Sequence, residues 1–315
     1  MDKSLPLHTT VRHYPSFLEF VHCGTDTVDV ETLGLQPPAR ADLSSSCMQA
    51  IEKLRSVYET SVPPFTLQGL LEHFCVAEVR ERLLDRDARL IVEGGRIIIE
   101  VNSIFPKVRR RLSVAHEIGH MIVNECDGRS KLSVSHGDPS EESLCNRLAG
   151  ELLVPGWALR DYLGREPELI AQGDCSIRCS TVLAAASVFG VSVDVICRRI
   201  FQDLALAPGK VAIIWREREN SRTKSSERAL RICSVWRSSP NLQFIPLNKT
   251  APAHSVISQA FRNGGLLFQE EDLTIGRLIG RFEVEAGAFK CLALPGSGTR
   301  STAILSLLEQ VVSAP

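Results

Sequence analysis

Eight histidines occur in the 315 residues, and two of them stand four positions apart in "SVAHEIGH", where His116 is followed at once by Glu117 and then by His120. On a helix, residues four apart share one face, one turn above the other. His116 and His120 can therefore aim both imidazoles at a single cation. Glu117 stands at the rim of that face, where a carboxylate can take a proton from water without itself becoming a ligand. Such a set suits hydrolysis of a peptide bond by water activated at a metal, with Glu117 as general base. Ala115, Ile118 and Gly119 surround the pair with small and apolar groups, as expected of a buried helix closely approached by its neighbours.

A catalytic zinc site normally takes three protein ligands. The extended motif with a third histidine is absent, because Val123 and Cys126 occupy the positions that it needs as glycine and histidine. The third ligand should then come from a later helix. "EESLCN" offers Glu141 and Glu142, and Glu142 leads a helical stripe with Asn146, Ala149 and Leu153. The reading favours Glu142 as ligand and Asn146 as the group supporting a ligand from behind. Glu141, Glu151 and His136 are the competing ligands. The expected ion is Zn2+, with Mn2+ as the alternative.

These residues need elements to carry them. "SCMQAIEKLRSVYET" and "TLQGLLEHFCV" have helical periodicity. "ARLIVEGGRIIIEVNS" places two β-rich runs around Gly94-Gly95, which predicts a hairpin. Pro106 then opens the helix bearing the histidines, and "EESLCNRLAGELLVP" predicts another, stopped at Pro155. The hairpin can be scaffold, or an edge to which an extended substrate adds a strand. In the second case Ile97, Ile99 and Val101 line the substrate-binding face.

The remainder bounds the protein rather than defining it. Lys and Arg number 36 against 37 Asp and Glu, so no strong one-sign field draws the chain to nucleic acid or an anionic membrane. No apolar run reaches the roughly 18 residues of a membrane span, and the N-terminus lacks the apolar stretch of a secretory signal. Ten dispersed cysteines fit reduced thiols in a cytoplasm, and the pair Cys175 and Cys179 has no second pair beside it. Arg109, Arg110 and Arg111 read as a solvated face that leaves room for an acidic partner.

With these motifs in view, "RRRLSVAHEIGHMIVNE" followed by "ESLCNRLAGELLVP" resembles the ImmA/IrrE family of metallopeptidases. Its chemical positions fall on His116, Glu117, His120, Glu142 and Asn146. Leu112, Cys145 and Leu148 depart from its usual aromatic, alanine and phenylalanine. The resemblance covers about residues 46–205. It implies an α+β fold with a zincin-like minimal metallopeptidase core, and a protein substrate that is a helix-turn-helix repressor in transcription regulation or stress response. It also implies a helical middle segment and a C-terminal α/β domain resembling a GAF sensor.

The expected organisation is an irregular lead-in over 1–45, a peptidase core over 46–156, a helical, helix-turn-helix-like segment over 157–207 and the C-terminal domain over 210–315. In the middle segment, Ser192 should cap the second helix, and Arg198 and Arg199 could touch phosphates. That helix, "SVDVICRR", is too apolar for a base-reading helix, so packing is favoured over DNA binding. The alternative function is a regulatory module that binds DNA or a repressor and carries a sensor domain. In the C-terminal domain "KVAIIW", "RALRICSVW" and "FEVEAGAFKCLALP" read as strands, and helices are expected near 253–262 and 302–312. "PGSGTRS" lacks the lysine of a phosphate loop and reads as a turn.

Overall fold

A computed structural model describes residues 40–55, 62–128, 138–165, 177–219, 228–239, 245–251, 255, 257, 258, 261, 270–273, 287–294 and 303–309. His136, the segment 295–301 and nearly all of the N-terminal lead-in lie outside them. The chain is mixed α+β and divides into two compact units. The first holds Met1–Glu59, Thr66–Pro106 and Ser113–Leu148; the second holds Thr60–Phe65, Lys107–Leu112 and Ala149–Pro315.

In the first unit, helix α1 (Arg40–Arg55) and the short α2 (Gln68–His73) precede three strands, β1 (Val76–Arg82), β2 (Ala88–Glu93) and β3 (Arg96–Asn102). The expected hairpin forms, with β2 antiparallel to β3 and Glu93 opposite Arg96. Gly94 and Gly95 both take positive φ, at 57° and 78°, the geometry that a two-residue turn of this twist demands. Strand β1 was not anticipated. It pairs parallel with β3, so the sheet order is β1-β3-β2 and β3 is central. This corrects the expectation for Ile97, Ile99 and Val101. Their strand has both edges paired, and their side chains are buried, so they build the core and cannot receive a substrate strand. On the opposite face Glu100 is buried too, and Arg89 donates to it at 2.7 Å.

Helix α3 (Lys107–Cys126) carries the histidines, and α4 (Pro139–Leu153) follows. Pro106 flanks the start of α3, where its missing N–H costs no hydrogen bond. Asp138 starts α4: its Oδ1 accepts from the Ser140 backbone N–H at 2.9 Å, and Pro139 is the first helical residue. That start puts Glu141 and Glu142 in the first turn, where the helix dipole favours negative charge.

In the second unit, α5 (Gly156–Gly164), α6 (Cys179–Phe189), α7 (Val193–Cys197) and a π-helical turn (Arg198–Asp203) precede five strands. These are β4 (Lys210–Glu219), β5 (Arg228–Arg237), β6 (Glu270–Leu273), β7 (Gly287–Leu294) and β8 (Ala303–Glu309), in one antiparallel sheet ordered β5-β4-β8-β7-β6. Strand β8 falls where a helix was expected over 302–312. The apolar run "AILSLLE" fits either period, and pairing on both sides, with β4 and β7, selects the strand.

The helix–Gly–helix cadence is present. Gly190 ends α6 in the left-handed region at φ 60°, and the Ser192 side chain accepts from the Val195 N–H at the start of α7. Its surroundings oppose DNA reading. Val195, Ile196 and Cys197 are buried, and Asp194 binds Arg216 and Ser234 of the sheet, each at 2.7 Å. Arg199 is also buried, donating to Glu151, to Asp203 at 3.1 Å and to the Val154 carbonyl at 3.1 Å. It offers nothing to a phosphate. Arg111 departs from the solvated-face reading as well: it donates to the carbonyls of Phe65, Phe189 and Gly190, stopping the open C-terminal end of α6. Among the described residues no single helix is long and apolar enough to cross a membrane.

Candidate metal centre and active site

His116, His120 and Glu142 converge within the first unit. One potential ligand atom from each lies within 4.8 Å of the others. The individual separations are more informative. His116 Nε2 and His120 Nε2 are 3.2 Å apart. His116 Nε2 is 3.1 Å from Glu142 Oε2, and His120 Nε2 is 3.5 Å from Glu142 Oε1. Ligands about 2.0–2.1 Å from one zinc ion in a tetrahedral array stand about 3.3 Å from one another. The three separations bracket that value, with the two to Glu142 ending on different oxygens of its carboxylate, and two nitrogens with one carboxylate are a donor set that zinc accepts. The residues fit the ion.

The close approach of α4 has a visible cause. A Cβ at Gly119 would sit 3.1 Å from the Cys145 carbonyl oxygen and 3.3 Å from its Cα. Glycine there lets one helix backbone lie against the other, and so lets Glu142 reach the histidine face.

Both histidines have further partners. The Asn146 side chain is hydrogen-bonded to His116, while its Nδ2 donates to the Glu142 backbone carbonyl at 2.8 Å. His120 Nδ1 has Glu141 Oε1 at 3.2 Å and the Cys145 thiol at 3.3 Å. Burial first, then the neighbouring His120, holds His116 below the ordinary imidazole value, with Glu142 and Asn146 opposing. That keeps the ring neutral, as a metal ligand must be.

Glu117 is not in the ligand triangle. It is buried, and its Oε2 has no hydrogen-bond partner. Burial raises its carboxyl from 4.5 to about 7, with Glu142 adding and Arg86 opposing. A base whose proton affinity lies near neutrality is well matched to general acid–base work.

Of the competing ligands, Glu151 is committed elsewhere: one oxygen accepts from the Gly156 N–H at 3.1 Å and the other takes the Arg199 guanidinium. Glu141 is at the site on the far side of an imidazole rather than in the triangle. The sequence signal for that was only its adjacency to Glu142 at the start of α4.

Residues 77–201 match the family model Peptidase_M78, described as the IrrE N-terminal-like domain. Over that segment the chain is similar to a peptidase domain of this family. His116, Glu117, His120, Glu142 and Asn146 all fall inside the IrrE-like segment. Among solved structures, a Mycobacterium tuberculosis transcriptional regulator is similar at 14% identity and a TM-score of 0.49, covering 85% of this chain and 76% of that one. Comparison with curated proteins gives no match.

Proposed function

We propose that this peptidase is a zinc-dependent endopeptidase that cuts a protein substrate, with His116, His120 and Glu142 as ligands and Glu117 as general base. The observation that carries the reading is the cluster of His116, His120 and Glu142, whose nitrogens and carboxylate oxygens approach one another at 3.1, 3.2 and 3.5 Å, with a buried carboxyl of raised proton affinity, one oxygen of it without a partner, next in sequence to His116. His116, His120 and Glu142 would hold a zinc ion, which would supply Lewis acidity toward the scissile carbonyl and water near pH 7. Glu117 Oε2 takes the proton of the attacking water and returns it to the departing amine. Asn146 and the helix-to-helix contact at Gly119 keep the donors in place between turnovers.

The resemblance to the ImmA/IrrE family supports a helix-turn-helix repressor as substrate, cut in an accessible, extended segment. The same resemblance, with the five-stranded antiparallel sheet of the second unit, supports a zincin-like core followed by a GAF-like sensor. Mn2+ remains the alternative ion, and a cytoplasmic setting fits the ten dispersed cysteines. A DNA-binding module is the weaker reading, because Arg199 is spent on Glu151 and Asp203.

Cleavage of a repressor encoded beside this chain, followed with and without chelator, tests the proposal. Glu117→Ala should abolish cleavage and retain zinc, whereas His116→Ala and Glu142→Ala should lose both. Loss of zinc from Glu117→Ala would overturn the division of roles.

A further inference from the structure

The two consecutive glutamates at the start of α4 lie against opposite edges of the same imidazole. Glu142 Oε1 is 3.5 Å from His120 Nε2, and Glu141 Oε1 is 3.2 Å from His120 Nδ1. We propose that Glu141 is a positioning residue, which accepts the His120 Nδ1–H and thereby fixes the tautomer that presents the bare Nε2 to a metal ion. The proposal rests on the metal-peptidase reading above and adds to it a residue that is not itself a ligand.

The physical case begins with the ring. A neutral imidazole has two tautomers, and only the one protonated at Nδ1 leaves Nε2 free to ligate. Without an acceptor at Nδ1, the competing tautomer would direct its N–H into the ligand triangle. A carboxylate at Nδ1 penalises that form and makes the ring a stronger donor. The His120 and Glu141 side chains are only 6% and 8% exposed, so water competes weakly for the contact.

A second neighbour of Nδ1 is the Cys145 sulfur at 3.3 Å. A neutral sulfur is a weak acceptor beside a carboxylate oxygen. The assignment therefore falls on Glu141, with Cys145 as packing. His116 is hydrogen-bonded to Asn146, an amide rather than a charge.

The test uses the full chain, stripped of metal and titrated with zinc against a chromophoric chelator. Glu141→Ala should weaken zinc binding by roughly 10–100-fold, while the unfolding midpoint of the metal-free protein stays near that of the parent. Glu141→Gln keeps an acceptor of the same shape and should recover part of the loss, and Cys145→Ala should bind zinc like the parent. In the zinc-loaded protein, the proton resonance of His120 Nδ1 should move in Glu141→Gln. That reading stands even where Glu141→Ala fails to fold. Parent-like zinc affinity in Glu141→Ala, or an unmoved Nδ1 proton in Glu141→Gln, overturns the proposal. If His116→Ala also binds zinc like the parent, the metal-site reading itself has failed; a large loss in His116→Ala with none in Glu141→Ala refutes the role of Glu141 alone.

Discussion

Glu117→Gln should make the metal-free protein more stable at alkaline pH while removing its activity. Glu117 is 3% exposed, and one of its oxygens has no partner. Burial is the largest cause that lifts its carboxyl from 4.5 to about 7. A folded-state value above the unfolded one means that the fold favours the protonated form. The associated stability is fully present below pH 4.5 and is lost as pH rises through about 7. At about 1.4 kcal/mol per tenfold change in proton affinity, the loss is about 3 kcal/mol. Glutamine keeps the shape and carries no charge to desolvate. Urea unfolding of chelator-treated protein, followed by far-UV circular dichroism, should show the variant ahead by up to about 3 kcal/mol at pH 8. The advantage should shrink toward zero at pH 4.5. Zinc at pH 8 should narrow the gap, because a nearby cation favours the ionised carboxyl. A difference that is flat across pH, or a variant less stable than the parent at pH 8, refutes the reasoning.

Other substitutions probe the scaffold. Gly119→Ala places a methyl 3.1 Å from the Cys145 carbonyl oxygen, so α4 must yield by a few tenths of an ångström; zinc affinity by chelator competition should fall roughly tenfold. Arg199→Ala strands the Glu151 and Asp203 carboxylates that Arg199 holds, and thermal unfolding should report a loss of about 3–5 kcal/mol. Gly190→Ala forces a side chain into φ 60° and sets its Cβ 3.2 Å from Arg111 Nη1, which should cost about 1–2 kcal/mol in the same assay.

The sequence showed the histidine pair, its glutamate and the hairpin because each is written in local spacing: four residues along a helix, and two glycines between β-rich runs. Ser192 was legible as a cap for the same reason. Strand β1 was not, because "VAEVRER" mixes charged and apolar positions as a surface segment does, and its place beside β3 depends on a partner distant in the chain. That omission misled the reading of Ile97, Ile99 and Val101, since a hairpin without β1 leaves β3 as an edge. Strand β8 was missed because a short apolar run suits helix and strand equally until its neighbours are known. The burial of Arg199 and the turn of Glu141 toward Nδ1 rest on tertiary contacts that no local pattern encodes.

With β3 enclosed, the sheet formed by the described residues has its hydrogen-bonding edges along β1 and β2, and the two face chains of opposite sense. A polypeptide laid antiparallel on β2 travels in the same direction as β3, whereas one laid antiparallel on β1 travels against it, because β1 runs parallel to β3 and β2 does not. Were an extended chain to add to this sheet antiparallel to its border strand, its direction would therefore tell which border held it.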